Sequence, residues 1–257
     1  SIDGLVKFHD YNRRVPGALQ KAFDTIESVN NLKSKYGNRI GRIVATTAIS
    51  RSNLDDLEEI IDLGLQTNAS LAFAFVRGSK DGVFNLSDPS LLSDFEPEEK
   101  KADGSDKFRK NDFLRVEDMD RALNILERKL WCRFPDMLVY AYNRITLRAI
   151  RDTLAKQSSQ LSHECRMGFD DMVILPNGHV ARCEMLAASA SLADYEWKLP
   201  ALLKGNEWKK NIQKTSGCWC THDCGLGVSI MKEPRHIKAL VQHSQKDAIL
   251  EPKTSLS

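Results

Sequence analysis

Cys165-Arg-Met-Gly-Phe-Asp-Asp-Met-Val-Ile-Leu-Pro-Asn-Gly-His-Val-Ala-Arg-Cys183 is the stretch on which the reading of this chain turns. The short apolar runs 172–175 and 179–183 flank Pro176-Asn177-Gly178. Proline fixes φ, and Asn-Gly tolerates positive φ, so the spacing predicts a hairpin. Such a hairpin returns the strand bearing Cys183 beside the segment bearing Cys165. After a gap of 34 residues comes Cys218-Trp-Cys220-Thr-His-Asp-Cys224, a compact knuckle. Five of the six cysteines therefore fall within 60 residues. Thiolates grouped in this way suit a soft metal centre.

The spacing bears on which metal. Zinc ribbons present paired Cys-x2-Cys knuckles, whereas the second group here is Cys-x-Cys-x3-Cys. An iron–sulfur cubane is wider than a single ion and accepts irregular spacing on separate loops. The spacing thus favours iron–sulfur, with zinc as the alternative. His222 lies inside the knuckle as a ligand, a donor to sulfur or an uninvolved side chain. His163 and His179 read as solvent-facing, and Cys132 as a buried small apolar residue.

The rest of the composition sets bounds. The chain has 257 residues, 42% hydrophobic and 28% charged, enough for one well-buried domain or two modest ones. With 37 basic and 35 acidic residues, a net charge of +2 offers no electrostatic case for nucleic acid or a membrane surface. No window approaches 18 uncharged apolar residues, so no transmembrane helix is expected. Clustered cysteines without a secretory signal point to metal rather than disulfides and to a cytoplasmic protein. Ser1-Ile2-Asp3-Gly4 reads like a strand entering a turn. The expectation is that the chain is the later part of a longer protein, the alternative being a start at a true domain edge.

Upstream of the cysteines the periodicity alternates. Helices are predicted over 16–36, from Asn53 as N-cap with the stripe Leu54, Leu57, Ile60, Ile61 and Leu65, over 116–131 and over 136–157. Strands are predicted over 40–49 and 70–76. Helix and strand in alternation mean a parallel sheet of β-α-β units. The charged run 94–110 reads as a solvated loop, and the tail beyond 244 as frayed.

Two groups of residues carry a family resemblance. Cys165-x12-Gly178-x4-Cys183, with Ile-Leu-Pro-Asn-Gly-His-Val-Ala-Arg-Cys inside it, closely resembles the opening of a SPASM or twitch domain. These are the auxiliary-cluster extensions of radical S-adenosylmethionine (radical SAM) enzymes. Gly205-Asn206, a helix and the Cys-Trp-Cys-Thr-His-Asp-Cys knuckle look like that domain's middle section. At the front, Ser1-Ile2-Asp3-Gly4, His9-Asp10, Arg13-Arg14 and Pro16-Gly17-Ala18 are similar to the fourth strand and following loop of the radical SAM barrel. Thr46-Thr47 and Asn53-Leu54-Asp55-Asp56-Leu57 resemble its fifth strand and helix, which would make 71–77 the sixth.

The resemblance implies an α/β fold: the later half of a partial (β/α) barrel joined to a small α+β cluster domain. It assigns 1–83 to the barrel, 84–160 to a helical insertion, 161–228 to the SPASM/twitch-like domain and 229–257 to a C-terminal helix and tail. It implies S-adenosyl-L-methionine as cofactor, one auxiliary [4Fe-4S] cluster, an external electron donor and a peptide or protein substrate. Cys165, Cys183 and Cys224 become ligands, with Cys220 a better fourth than Cys218. Ser1 and Asp3 fall where the family touches the ribose or methionine end of the cofactor, while a plain strand-end turn is the other reading of Asp3. Phe75 and Arg77 would approach the adenine.

The departures are as informative. The family's Cys-x3-Cys-x2-Cys loop and its Gly-Gly-Glu element are not in this sequence, so the chain alone is expected to be inactive. Five thiols cannot fill the eight positions of two auxiliary clusters. A sheet missing its earlier strands should expose an edge near residues 40–49. The alternative function is a non-catalytic iron–sulfur or zinc module for binding or electron transfer.

Overall fold

The computed structural model describes residues 1–39, 41–76, 114–130, 137–156, 165–183, 186, 188–212, 223–234 and 238. They form a mixed α/β structure with two small sheets, and no closed barrel occurs among the described residues. The described residues divide into two compact units, those up to Leu147 in one and those from Arg148 on in the other. The expectations for Arg77, Cys132, His163, Cys218, Cys220 and His222, for the charged run 94–110 and for the tail beyond 244 lie outside the described residues.

In the first unit, α1 (Val6–Arg13) and α2 (Ala18–Tyr36) precede β1 (Val44–Ile49), α3 (Leu57–Leu65) and β2 (Ser70–Phe75). The two strands are parallel, with Val44 opposite Ser70 and Ile49 opposite Phe75, so β1-α3-β2 is the β-α-β unit that the alternation predicts. Strand β1 is shorter than expected, beginning at Val44 rather than residue 40. Helix α1 occupies a segment read from the sequence as a loop.

Of the predicted stripe, Leu54 just before α3 and Leu57, Ile60 and Ile61 on it are buried, while Leu65 is only half-buried. Burial of such side chains contributes about 1.5–3 kcal/mol each. Helix α4 (Val116–Lys129) packs beside α3, and its Met119, Ala122, Leu123 and Leu126 are buried. At the rim of this pair Arg121 meets Asp55 at 2.6 Å and Lys129 meets Asp62 at 2.7 Å. These exposed pairs steer alignment more than they add stability.

Both long edges of the strand pair are met by other parts of the unit. On the side of β1 away from β2, Ile2 donates its N–H to the carbonyl of Thr46 at 3.0 Å, and the Thr47 hydroxyl donates to the carbonyl of Ile2 at 2.6 Å. The expected exposed edge near 40–49 is thereby corrected for residues 46–48: the N-terminal segment lies against it. Val44, at the start of the strand, does remain exposed. On the far side of β2, the Phe73 N–H donates to Asn143 Oδ1 at 2.7 Å. Asn143 stands on α5 (Met137–Lys156).

The second unit contains the predicted hairpin, β3 (Val173–Ile174) and β4 (His179–Ala181), plus an unforeseen third strand, β5 (Ala190–Ser191). The order is β3-β4-β5, antiparallel throughout. Gly178 closes the turn at φ +80, and its missing side chain makes room for Trp197, whose ring would lie 2.6 Å from an added Cβ. Behind the sheet, α6 (Leu199–Lys204) and α7 (Asn206–Ile212) bury Leu202, Trp208 and Ile212 against Val180 and Leu192. Helix α8 (Asp223–Lys232) follows and buries Leu226 and Ile230.

Candidate functional site

The cysteine-bearing unit is held together by contacts next to the cysteines. Cys165 is half-buried, Cys183 is buried, and neither is in a disulfide. Immediately after Cys165, the backbone N–H of Arg166 donates to the Ser229 hydroxyl of α8 at 3.0 Å. Ser229 is fully buried, and its hydroxyl donates in turn to the carbonyl of Gly225 at 2.8 Å. Gly225 follows Cys224, which lies in the first turn of α8. The backbone beside Cys165 is thus tied to the helix that carries Cys224.

A second link lies next to Cys183. Gly168, at φ +90, packs so closely that an added Cβ would lie 2.5 Å from the Arg182 side chain and 2.4 Å from Ile212. Arg182 is buried and donates from a terminal nitrogen to the carbonyl of Asn211 at 3.2 Å. The hairpin therefore places the Cys165 segment beside the end of β4, as its turn chemistry predicts. Arg166 also donates to Asp170 at 2.7 Å, and this hydrogen bond chiefly holds the Asp170 carboxyl below its usual range. Among the described residues, no group of three His, Cys, Asp or Glu side chains is assembled as a metal site. The thiols of Cys218, Cys220 and Cys224 are not among the side chains described. The described donors are two free cysteines, Cys165 beside a residue bonded to the knuckle's helix and Cys183 at the end of β4. Thiolates are the ligand type of iron–sulfur and zinc centres, which take four.

The first unit carries a buried polar corner at the carboxyl end of β1, the end where parallel α/β sheets place their ligands. Asp3 is buried. One of its carboxylate oxygens accepts from Arg13 and the other from the Ala48 N–H at 3.1 Å. The Asp3 N–H donates to His9 Nδ1 at 3.0 Å. His9 is buried as well, and that burial lowers its pKa below the ordinary 6.5. An acceptor Nδ1 means a neutral ring with its proton on the other nitrogen.

Asn53 completes the corner. Its amide nitrogen donates to the carbonyls of Asp3 at 2.6 Å and Ala48 at 2.8 Å, and its oxygen accepts from the Ser50 N–H at 2.8 Å. This corrects the expectation that Asn53 caps α3: the N-cap position belongs to Asp56. In a buried corner, satisfying three backbone groups outweighs satisfying one helix N–H. Asp10 provides a similar lesson, since its carboxylate caps α2 from outside by accepting from Gly17 at 2.6 Å and Leu19 at 3.0 Å. Those backbone donors, Leu19 first, hold Asp10 below the ordinary carboxylate range.

Of the residues with expected cofactor contacts, Ser1 is exposed, Asp3 is committed to the chain's own groups, and Phe75 is buried opposite Ile49. Sequence reasoning did not single out Ser229, Arg182 or the bonding roles of His9 and Asn53. Nothing in a lone serine announces a partner 63 residues away, and nothing in a lone histidine that its ring accepts from a backbone N–H six residues back. Gly168 offered a signal, because a glycine three residues after Cys165 fits a close backbone approach. Scanned against protein-family models, curated proteins and solved structures, the chain matches none.

Proposed function

We propose that this chain belongs to the radical SAM enzymes and that its second unit is a SPASM- or twitch-like domain for one auxiliary [4Fe-4S] cluster. Cys165, Cys183 and Cys224 are the proposed ligands, with Cys220 or Cys218 completing the set. The supporting observation is the pair of backbone links just described, which draw the Cys165 segment to α8 on one side and to the end of β4 on the other. A cluster bound there supplies one-electron redox capacity. The protein's part is to hold the thiolates, fix their separation and limit water at the buried Cys183. Radical chemistry on S-adenosylmethionine, with a peptide or protein as substrate and an external reductant, is the reaction class proposed. The first unit's contribution is a barrel-like segment whose polar corner is set by Asp3, Asn53 and His9.

The test is anaerobic reconstitution of the full chain with iron and sulfide. About four irons per chain, lost together when Cys165, Cys183 and Cys224 are replaced by alanine, is the expected result. Because the sequence has no Cys-x3-Cys-x2-Cys loop, the loaded chain should leave S-adenosylmethionine intact. Colourless protein holding about one zinc through the same cysteines would replace this reading with a structural zinc module.

A further inference from the structure

We infer that Ser229 is a positioning residue for the metal centre, acting as a hydroxyl clamp between two cysteine-bearing backbones. The inference rests on the metal-binding reading above. The Ser229 hydroxyl, on a fully buried residue, both accepts and donates a hydrogen bond. It accepts from the N–H of the residue after Cys165 and donates to the carbonyl of the residue after Cys224. The first partner is 63 residues away in sequence, the second only four. A serine donating to the carbonyl one turn back is ordinary in a helix. The acceptor side is what carries the inference: it takes up the part-buried backbone N–H of Arg166 from a helix 63 residues away, at a position adjoining a proposed ligand. Arg166 cannot shift along α8 without losing that bond, so the spacing between the Cα atoms of Cys165 and Cys224 is set before any metal arrives. Groups that orient metal ligands in this way typically govern affinity by about 10- to 100-fold.

The experiment uses the full chain, with cobalt(II) as an optical probe and a competing chelator to measure affinity. Ser229→Ala should weaken cobalt binding by about 10- to 100-fold, and Ser229→Thr, which keeps the hydroxyl, should restore it. In a Cys165→Ala background, Ser229→Ala should cause little further loss, because the clamp acts through the position of Cys165. Wild-type affinity in Ser229→Ala would overturn the inference. So would an equal loss in both backgrounds, which marks a merely structural role. Should Ser229→Thr not fold, judged by circular dichroism, the comparison of the two backgrounds decides alone. If the wild-type chain takes up neither cobalt nor, on anaerobic reconstitution, iron, or takes them up unchanged in Cys165→Ala and Cys183→Ala, the metal-binding reading itself fails and takes the clamp with it.

Discussion

Asn53 satisfies three backbone groups with a single side chain, so truncating it strands more than one bond. Asn53→Ala should cost about 3 kcal/mol, since each buried group left unpaired costs about 1–3 kcal/mol. A urea unfolding midpoint indistinguishable from wild type would show that the corner tolerates the loss. His9 makes a different prediction. Its pKa is lowered in the fold, so below the ordinary 6.5 the unfolded chain binds a proton that the native chain refuses. Stability from this source is full above that value and declines as pH falls toward the folded pKa. His9→Gln should flatten the pH dependence of unfolding in that window. Asp10 behaves as a carboxylate depressed by its helix cap: its contribution is present above the ordinary 3.8 and is lost only in stronger acid. None of these three roles was legible from sequence. Asn53 sits where a helix cap belongs, and only the approach of Asp3 and Ala48 redirects it.

At the scale of elements, reading and structure agree wherever periodicity is strong. Helices α2, α4 and α5 fall within a few residues of the predicted spans, and the hairpin lies around Pro176-Asn177-Gly178 as its turn chemistry requires. The two-residue β5 and the short α1 and α6 escape because they are too brief to show a period. The α3–α4 pair separates packing from charge. Leu126→Ala should destabilise by about 2–5 kcal/mol, as core truncations do. Asp62→Ala, which removes an exposed partner of Lys129, should cost under about 1 kcal/mol. Equal effects by thermal melting would contradict this division. Gly168→Ala tests the hairpin: positive φ and the close contacts with Arg182 and Ile212 both oppose a methyl. A loss of about 1–3 kcal/mol is expected, accompanied by weaker metal retention.

For the whole molecule, the division into two units predicts unequal responses to metal. Loading should raise the melting temperature of the cysteine-bearing unit, because a ligand that binds only the folded form stabilises it by mass action. A chelator should reverse that shift and leave the other unit's transition where it was. One transition that moves as a whole would show that the units unfold together. The strand pair has a further consequence at this scale. Phe73 offers its amide outward from β2, and Asn143 already occupies it. A foreign peptide seeking to extend the sheet by docking along that side would have to evict a helical side chain first. Intermolecular stacking should therefore be disfavoured there even at the concentrations used for spectroscopy.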